Sequence, residues 1–171
     1  MIIPLDLLLQ HSLFYGVVLS VAMTTLILVT LYGWPMIWVG DAPPEVRAAA
    51  PPMSDADRRA KRVATVVMLA ILSAVLVAAL RGLWELAMGR PSFADVALST
   101  FIIFMTFNLV DLLIIDWLIL VTLRPGFAMI PGTEGMAAYG DYSFHFHAFL
   151  KGTAGVAAFS LIVAAIVVLL L

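Results

Sequence analysis

Four stretches of this chain are apolar enough and long enough to cross a lipid bilayer, and they constrain the fold more than anything else in the sequence. A spanning helix needs about 20 mostly apolar residues to cover about 30 Å of hydrocarbon. Residues 13–31, 63–80 and 153–171 contain no Asp, Glu, Lys, Arg or His, and 96–123 contains only Asp111 and Asp116. With their flanks, spans are expected over about 13–32, 63–86, 96–123 and 153–171. The runs are continuously apolar, without the dyad alternation of an outer-membrane barrel. The chain is 64% hydrophobic and 12% charged, with a mean hydropathy of +1.11. Its polar residues are too few to cover a water-facing globule, which carries about 25% charged residues. Disorder is excluded on the same ground, and the absence of cysteine excludes a disulfide scaffold. Nine basic residues against eleven acidic ones, with no basic stripe, argue against nucleic acid as a partner. The fold class is all-α: one polytopic membrane domain, a four-transmembrane-helix bundle whose first partner is the lipid bilayer.

Loop charge orients the bundle. Of the nine basic residues, all but Arg81 and Arg90 fall in the first and third connections, at Arg47, Arg58, Arg59, Lys61, Arg62, Arg124 and Lys151. The positive-inside rule puts those connections, a linker over 41–62 and a loop over 124–151, in the cytoplasm, and both termini on the non-cytoplasmic side. Tyr32, Trp34 and Trp38 read as an aromatic belt at the cytoplasmic end of the first span. Residues 1–9 contain no Lys or Arg, so the first apolar stretch is expected to be a retained span and not a cleaved signal. The surroundings fit a bacterial cytoplasmic (inner) membrane.

Local chemistry marks the ends. Pro35 stops the first helix, and the Pro/Ala-rich tract 42–52 reads as a semi-rigid linker. Ser54–Asp57 and Ser92–Asp95 are capping-box patterns that start the second and third helices. The short Gly89-Arg90-Pro91 break predicts that the second and third spans are antiparallel neighbours. Small residues at Gly152, Gly155, Ala158 and Ala164–Ala165 permit close contact along the fourth. The 124–151 loop has four glycines and two Pro-Gly pairs, yet carries Phe127, Met129, Ile130, Met136, Tyr139 and Tyr142. That is too apolar for disorder, and the loop is expected to fold back on the bundle.

Asn108, Asp111 and Asp116 are the polar intramembrane residues of the third span. A rise of about 1.5 Å per residue puts Asp111 near or just past mid-membrane. A carboxylate there costs at least about 2.5–3.5 kcal/mol, so it must be paired, hydrated or protonated. Asn108 shares its face. Asp116 is turned about 140° away on a regular helix. Arg81 and Glu85, four apart, are expected to form an interfacial pair. His11 is expected at the interface, and Asp95 only as a cap.

Asp116, Glu134, Asp141, His145 and His147 are the residue types of an oxygen/nitrogen site for iron, manganese or zinc. His145 and His147 stand about 200° apart on a regular helix, so they share an ion only in an extended segment. Without cysteine there is no Fe–S cluster and no c-type haem. No catalytic motif is present. Three functions remain. The first is a non-catalytic subunit or accessory component of a larger membrane complex, with other membrane subunits or copies of itself as partners. The second is a metal- or quinone-dependent membrane enzyme with its site at the cytoplasmic ends of the third and fourth spans. The third is a proton or ion pathway through Asp111 and Asp116. Small size and the lack of a catalytic set weigh against an enzyme.

Overall fold

In a computed structural model that describes residues 2–170, the chain is all-helical, with no strand among the described residues. Helix α1 runs over Leu5–Gly33, α2 over Pro44–Ala49, α3 over Asp55–Leu86, α4 over Phe93–Val110 and α5 over Tyr142–Leu170. A wider helical segment, Asp111–Leu123, continues α4 without a break. Four of these helices are long and apolar enough to cross a membrane: Leu5–Gly33, Asp55–Leu86, Phe93–Leu123 and Tyr142–Leu169. They overrun the apolar stretches at most ends, because helix-favouring residues continue past them to the next cap or proline. The stretch expected over 153–171 ends on Leu171, which lies outside the described residues.

The caps explain the boundaries. The Ser54 hydroxyl accepts from the Asp57 N–H at 3.1 Å, and the Asp57 carboxylate accepts from the Ser54 N–H at 2.9 Å. Ser92 and Asp95 repeat the arrangement at 3.3 and 3.0 Å. The second box does more than cap. Asp95 is fully buried and also accepts from the Ile2 N–H at 3.0 Å and the Ile3 N–H at 3.4 Å. It therefore ties the start of the chain to the start of α4.

Helix α4 is central, with α1 on one side and α5 on the other. Two close approaches define these contacts. A Cβ on Gly16 would lie 2.8 Å from Thr106, and one on Gly152 would lie 2.6 Å from Asn108. The Ser12 hydroxyl adds a 2.9 Å bond to Ser99. Such small-residue contacts suit helices that have no water to expel from between them. Along the small-residue row of α5, a Cβ on Gly155 would meet nothing within 4 Å, whereas Ala164 is fully buried. Helix α3 leans mainly on α1 and meets α4 only sparingly, despite the short connection between them. His11 lies in that α1–α3 contact, with Nε2 3.0 Å from the Ala79 carbonyl. A short turn fixes the order of helices in the chain but not which faces pack.

The two long connections meet at one end of the bundle. Met36, Ala42 and Val46 from the first pack with Ala128, Met129, Ile130 and Tyr139 from the third, over Ile27, Leu31 and Ile115. The tract read as a linker thus contains α2, whose Val46 is fully buried. Pro44 at its first position and the alanines behind it favour one short helix. In the third connection, Tyr139 Oη accepts from the Ile130 N–H at 3.0 Å and lies 2.7 Å from Thr133 Oγ1. Gly132 and Gly135, at φ of +83° and +80°, make the turns around that knot.

Candidate functional site

Beneath this roof lies a cavity of about 1030 Å³, walled by α1, α4 and its wider continuation, and α5. Ile27, Phe107, Ile115 and Leu120 supply apolar surface, Asp111, Asp116 and His145 supply the inner polar groups, and exposed Asp41 adds a further carboxylate at the mouth. Exposed Arg47, His147 and Lys151 line the same cavity at the rim.

The wide helical segment positions the carboxylates. From Asp111 to Leu123 the backbone bonds run to the fifth residue back: the Arg124 N–H donates to the Ile119 carbonyl at 2.8 Å. The Thr122 hydroxyl likewise donates to the Trp117 carbonyl at 2.7 Å. In an i→i−5 ladder, residues five apart stand nearly above one another. Asp111 and Asp116 are five apart, so both face the cavity, where a regular helix would turn one of them aside. The separation expected from a 3.6-residue turn does not hold here, because the turn itself is wider.

His145 Nδ1 lies 3.0 Å from Asp116 Oδ1, with the histidine side chain 8% and the aspartate 18% exposed. At that distance Nδ1 serves as the donor and the carboxylate as the acceptor. Asp111 has neither a hydrogen bond nor an ion pair among the described residues. Its surroundings are apolar wall, the cavity, and the Asp116–His145 pair.

Asp41 completes the acidic side and is the group that the sequence reading missed. It follows the apolar segment 34–40 directly, and it reads as the first residue of a solvated linker. Partial desolvation pushes its carboxyl above the usual range; Lys61 pulls it back, Asp116 pushes it up again and Arg47 pulls least.

The other candidates do not join this group: Asp141 and His147 line the cavity but bond within their own segment, and the rest lie outside it. Asn108 does not line the cavity: its amide donates to the Phe149 carbonyl at 3.2 Å and to Thr153 Oγ1 at 3.1 Å, binding α4 to α5. Glu134 accepts from the Gly132 N–H in the loop. Asp141 accepts from the Ser143 and Phe144 N–H groups at the start of α5. His147 Nδ1 bonds the Ser143 carbonyl at 2.7 Å. Of the five residues considered as metal ligands, only Asp116 and His145 meet. No group of three or more His, Asp or Glu is placed to share an ion among the described residues. Arg81 and Glu85 lie on α3, lining a different groove, and no ion pair joins them among the described residues.

Neither a known protein family, a curated protein nor a solved structure matches the chain.

Proposed function

We propose that the chain is a four-span integral membrane protein of a bacterial cytoplasmic membrane, with both termini outside. In this reading it handles protons at Asp111, from the cytoplasmic side, as a non-catalytic component of a larger membrane complex. The observation that carries it is the unpartnered Asp111 carboxyl in the wall of a cavity that also holds the Asp116–His145 pair. A carboxyl in apolar surroundings is stable only when protonated, hydrated or neutralised by a cation. A cavity of this size admits water to it. Asp116–His145 then stands as a relay on the same wall, and His147 and Lys151 as rim groups. Orientation is supported by the basic residues, whose two connections meet at the cavity end. A place within a larger assembly is supported by α3, most of whose apolar surface is uncovered by the rest of the chain.

The test is pH-difference infrared spectroscopy on the purified protein in vesicles. A carboxyl band should titrate reversibly, vanish in Asp111→Asn, and respond to buffer on the cytoplasmic side alone. An unchanged band in Asp111→Asn overturns the reading.

A second reading rests on the room in the cavity and on Trp38, Phe107, Tyr139 and Phe144 in its walls. A quinone held beside Asp116–His145 is the alternative, with the chain then a quinone-dependent membrane enzyme. An extractable quinone in the purified protein would favour it.

A further inference from the structure

At the other end of the bundle, α3 and α5 leave a groove of about 400 Å³ between them. Val77, Leu80, Trp84 and Val167 form its apolar surface, and Arg81 and Glu85 line it too. The groove adjoins a buried cluster in which Leu83 of α3, Val96 of α4 and Val163 of α5 pack together.

Arg81 and Glu85 are four residues apart on one helix, the spacing at which opposite charges normally meet. Both are exposed, and no hydrogen bond or ion pair joins them among the described residues. Two opposite, separately available charges therefore stand at the groove, above an apolar trough and beside an indole. Tryptophan and arginine at the end of a long apolar helix mark the headgroup level of a bilayer.

We propose that this groove binds a phospholipid whose headgroup carries both a phosphate and a primary ammonium, as phosphatidylethanolamine does. Arg81 takes the phosphate, for which guanidinium is the matched donor. Glu85 takes the ammonium, and an acyl chain lies along Val77, Leu80 and Val167. The two charges select this headgroup over its relatives. A phosphatidylglycerol headgroup gives Arg81 its phosphate but leaves Glu85 without a cation. A phosphatidylcholine headgroup gives Glu85 a charge without an N–H donor. This inference rests on the membrane reading above.

The test is native mass spectrometry of the full chain released from mixed vesicles of phosphatidylethanolamine, phosphatidylglycerol and phosphatidylcholine. Carbonate extraction of the same vesicles runs alongside. The wild-type chain should stay in the carbonate-resistant fraction and retain phosphatidylethanolamine about two- to five-fold over the other two, the range that exposed charge pairs support. Glu85→Gln should abolish the preference over phosphatidylglycerol while lipid is still retained. Arg81→Gln should reduce retention of all three lipids. Equal or greater retention of phosphatidylglycerol by the wild type overturns the proposal, as does an intact preference in Glu85→Gln. Both charges are exposed, so neither variant disturbs the core. Release of the wild type by carbonate overturns the membrane reading as well; insertion without lipid preference overturns the lipid site alone.

Discussion

Asn108 and Gly152 meet so closely that a Cβ on the glycine would lie 2.6 Å from Asn108 Oδ1. The same amide donates to two groups of α5, so it fixes both the spacing and the register of the α4–α5 contact. Gly152→Ala should therefore force the helices apart and destabilise the protein by about 1–3 kcal/mol. Thermal unfolding in detergent measures this. Gly155→Ala, with open space around the glycine, should leave the midpoint unchanged or slightly raised.

The Asp116–His145 contact should resist single substitutions poorly. Replacing His145 with leucine leaves a largely buried carboxylate without its donor, a loss of about 1–3 kcal/mol. His145→Gln restores a donor at similar length and should recover part of it. Equal unfolding midpoints for the wild type and His145→Leu would remove the pair from any role in holding α5 to α4.

Asp41 predicts a pH effect with a definite sign. Its folded-state carboxyl sits above the usual range, chiefly through partial desolvation. The folded chain then holds that proton more tightly than the unfolded chain does. Its contribution to stability is fully present below the unfolded value and is lost as pH rises through the folded one. Asp41→Asn cannot ionise, so it should gain stability over the wild type as pH rises through that window. Denaturation midpoints across the acidic range should diverge between the two, and parallel curves would contradict the assignment.

The two capping boxes share one motif in different surroundings. Asp57 is only half-buried, whereas Asp95 is fully buried and holds two further backbone N–H groups. Asp95→Ala should cost about 1.5–3 kcal/mol, the range for hydrogen bonds to a charged group. It should also free the N–H groups of Ile2 and Ile3 to exchange. Asp57→Ala should do neither, as amide exchange of the two variants would reveal.

Orientation is tested by cysteines in a chain that has none of its own. At Ala49 and Ala137 they should resist an impermeant thiol reagent in intact cells, and at Met88, which is 96% exposed, one should label. Labelling at Ala49 would reverse the proposed sidedness.

The long helices and both capping boxes were legible because each depends on neighbours within a turn or two. The order of the two long connections was half legible. The aromatics at 139 and 142 forbade a solvated loop, but nothing local told α2 that Val46 would find Ile130. The site was legible in its residue types and not in its geometry. Asp111 and Asp116 were visible as costly charges, but residues 112–115 are uniformly apolar and carry no sign of a widened turn. Asn108 was given to the face of Asp111 because a regular helix puts it there. It packs instead where Gly152 leaves space. Asp41 was missed because only the fold brings the first connection back to the cavity that Asp111 and Asp116 line.

The wide turn also bears on how this chain compares with others. Removing one residue between 111 and 116 and letting the segment relax to ordinary i→i−4 bonding would bring the two carboxylates to a spacing of four. At that spacing a regular helix again stacks them on one face. Two chains that differ in length at this point can therefore carry the same pair of acids into the same cavity. What such chains would share is two acids on one face, not a fixed number of residues between them.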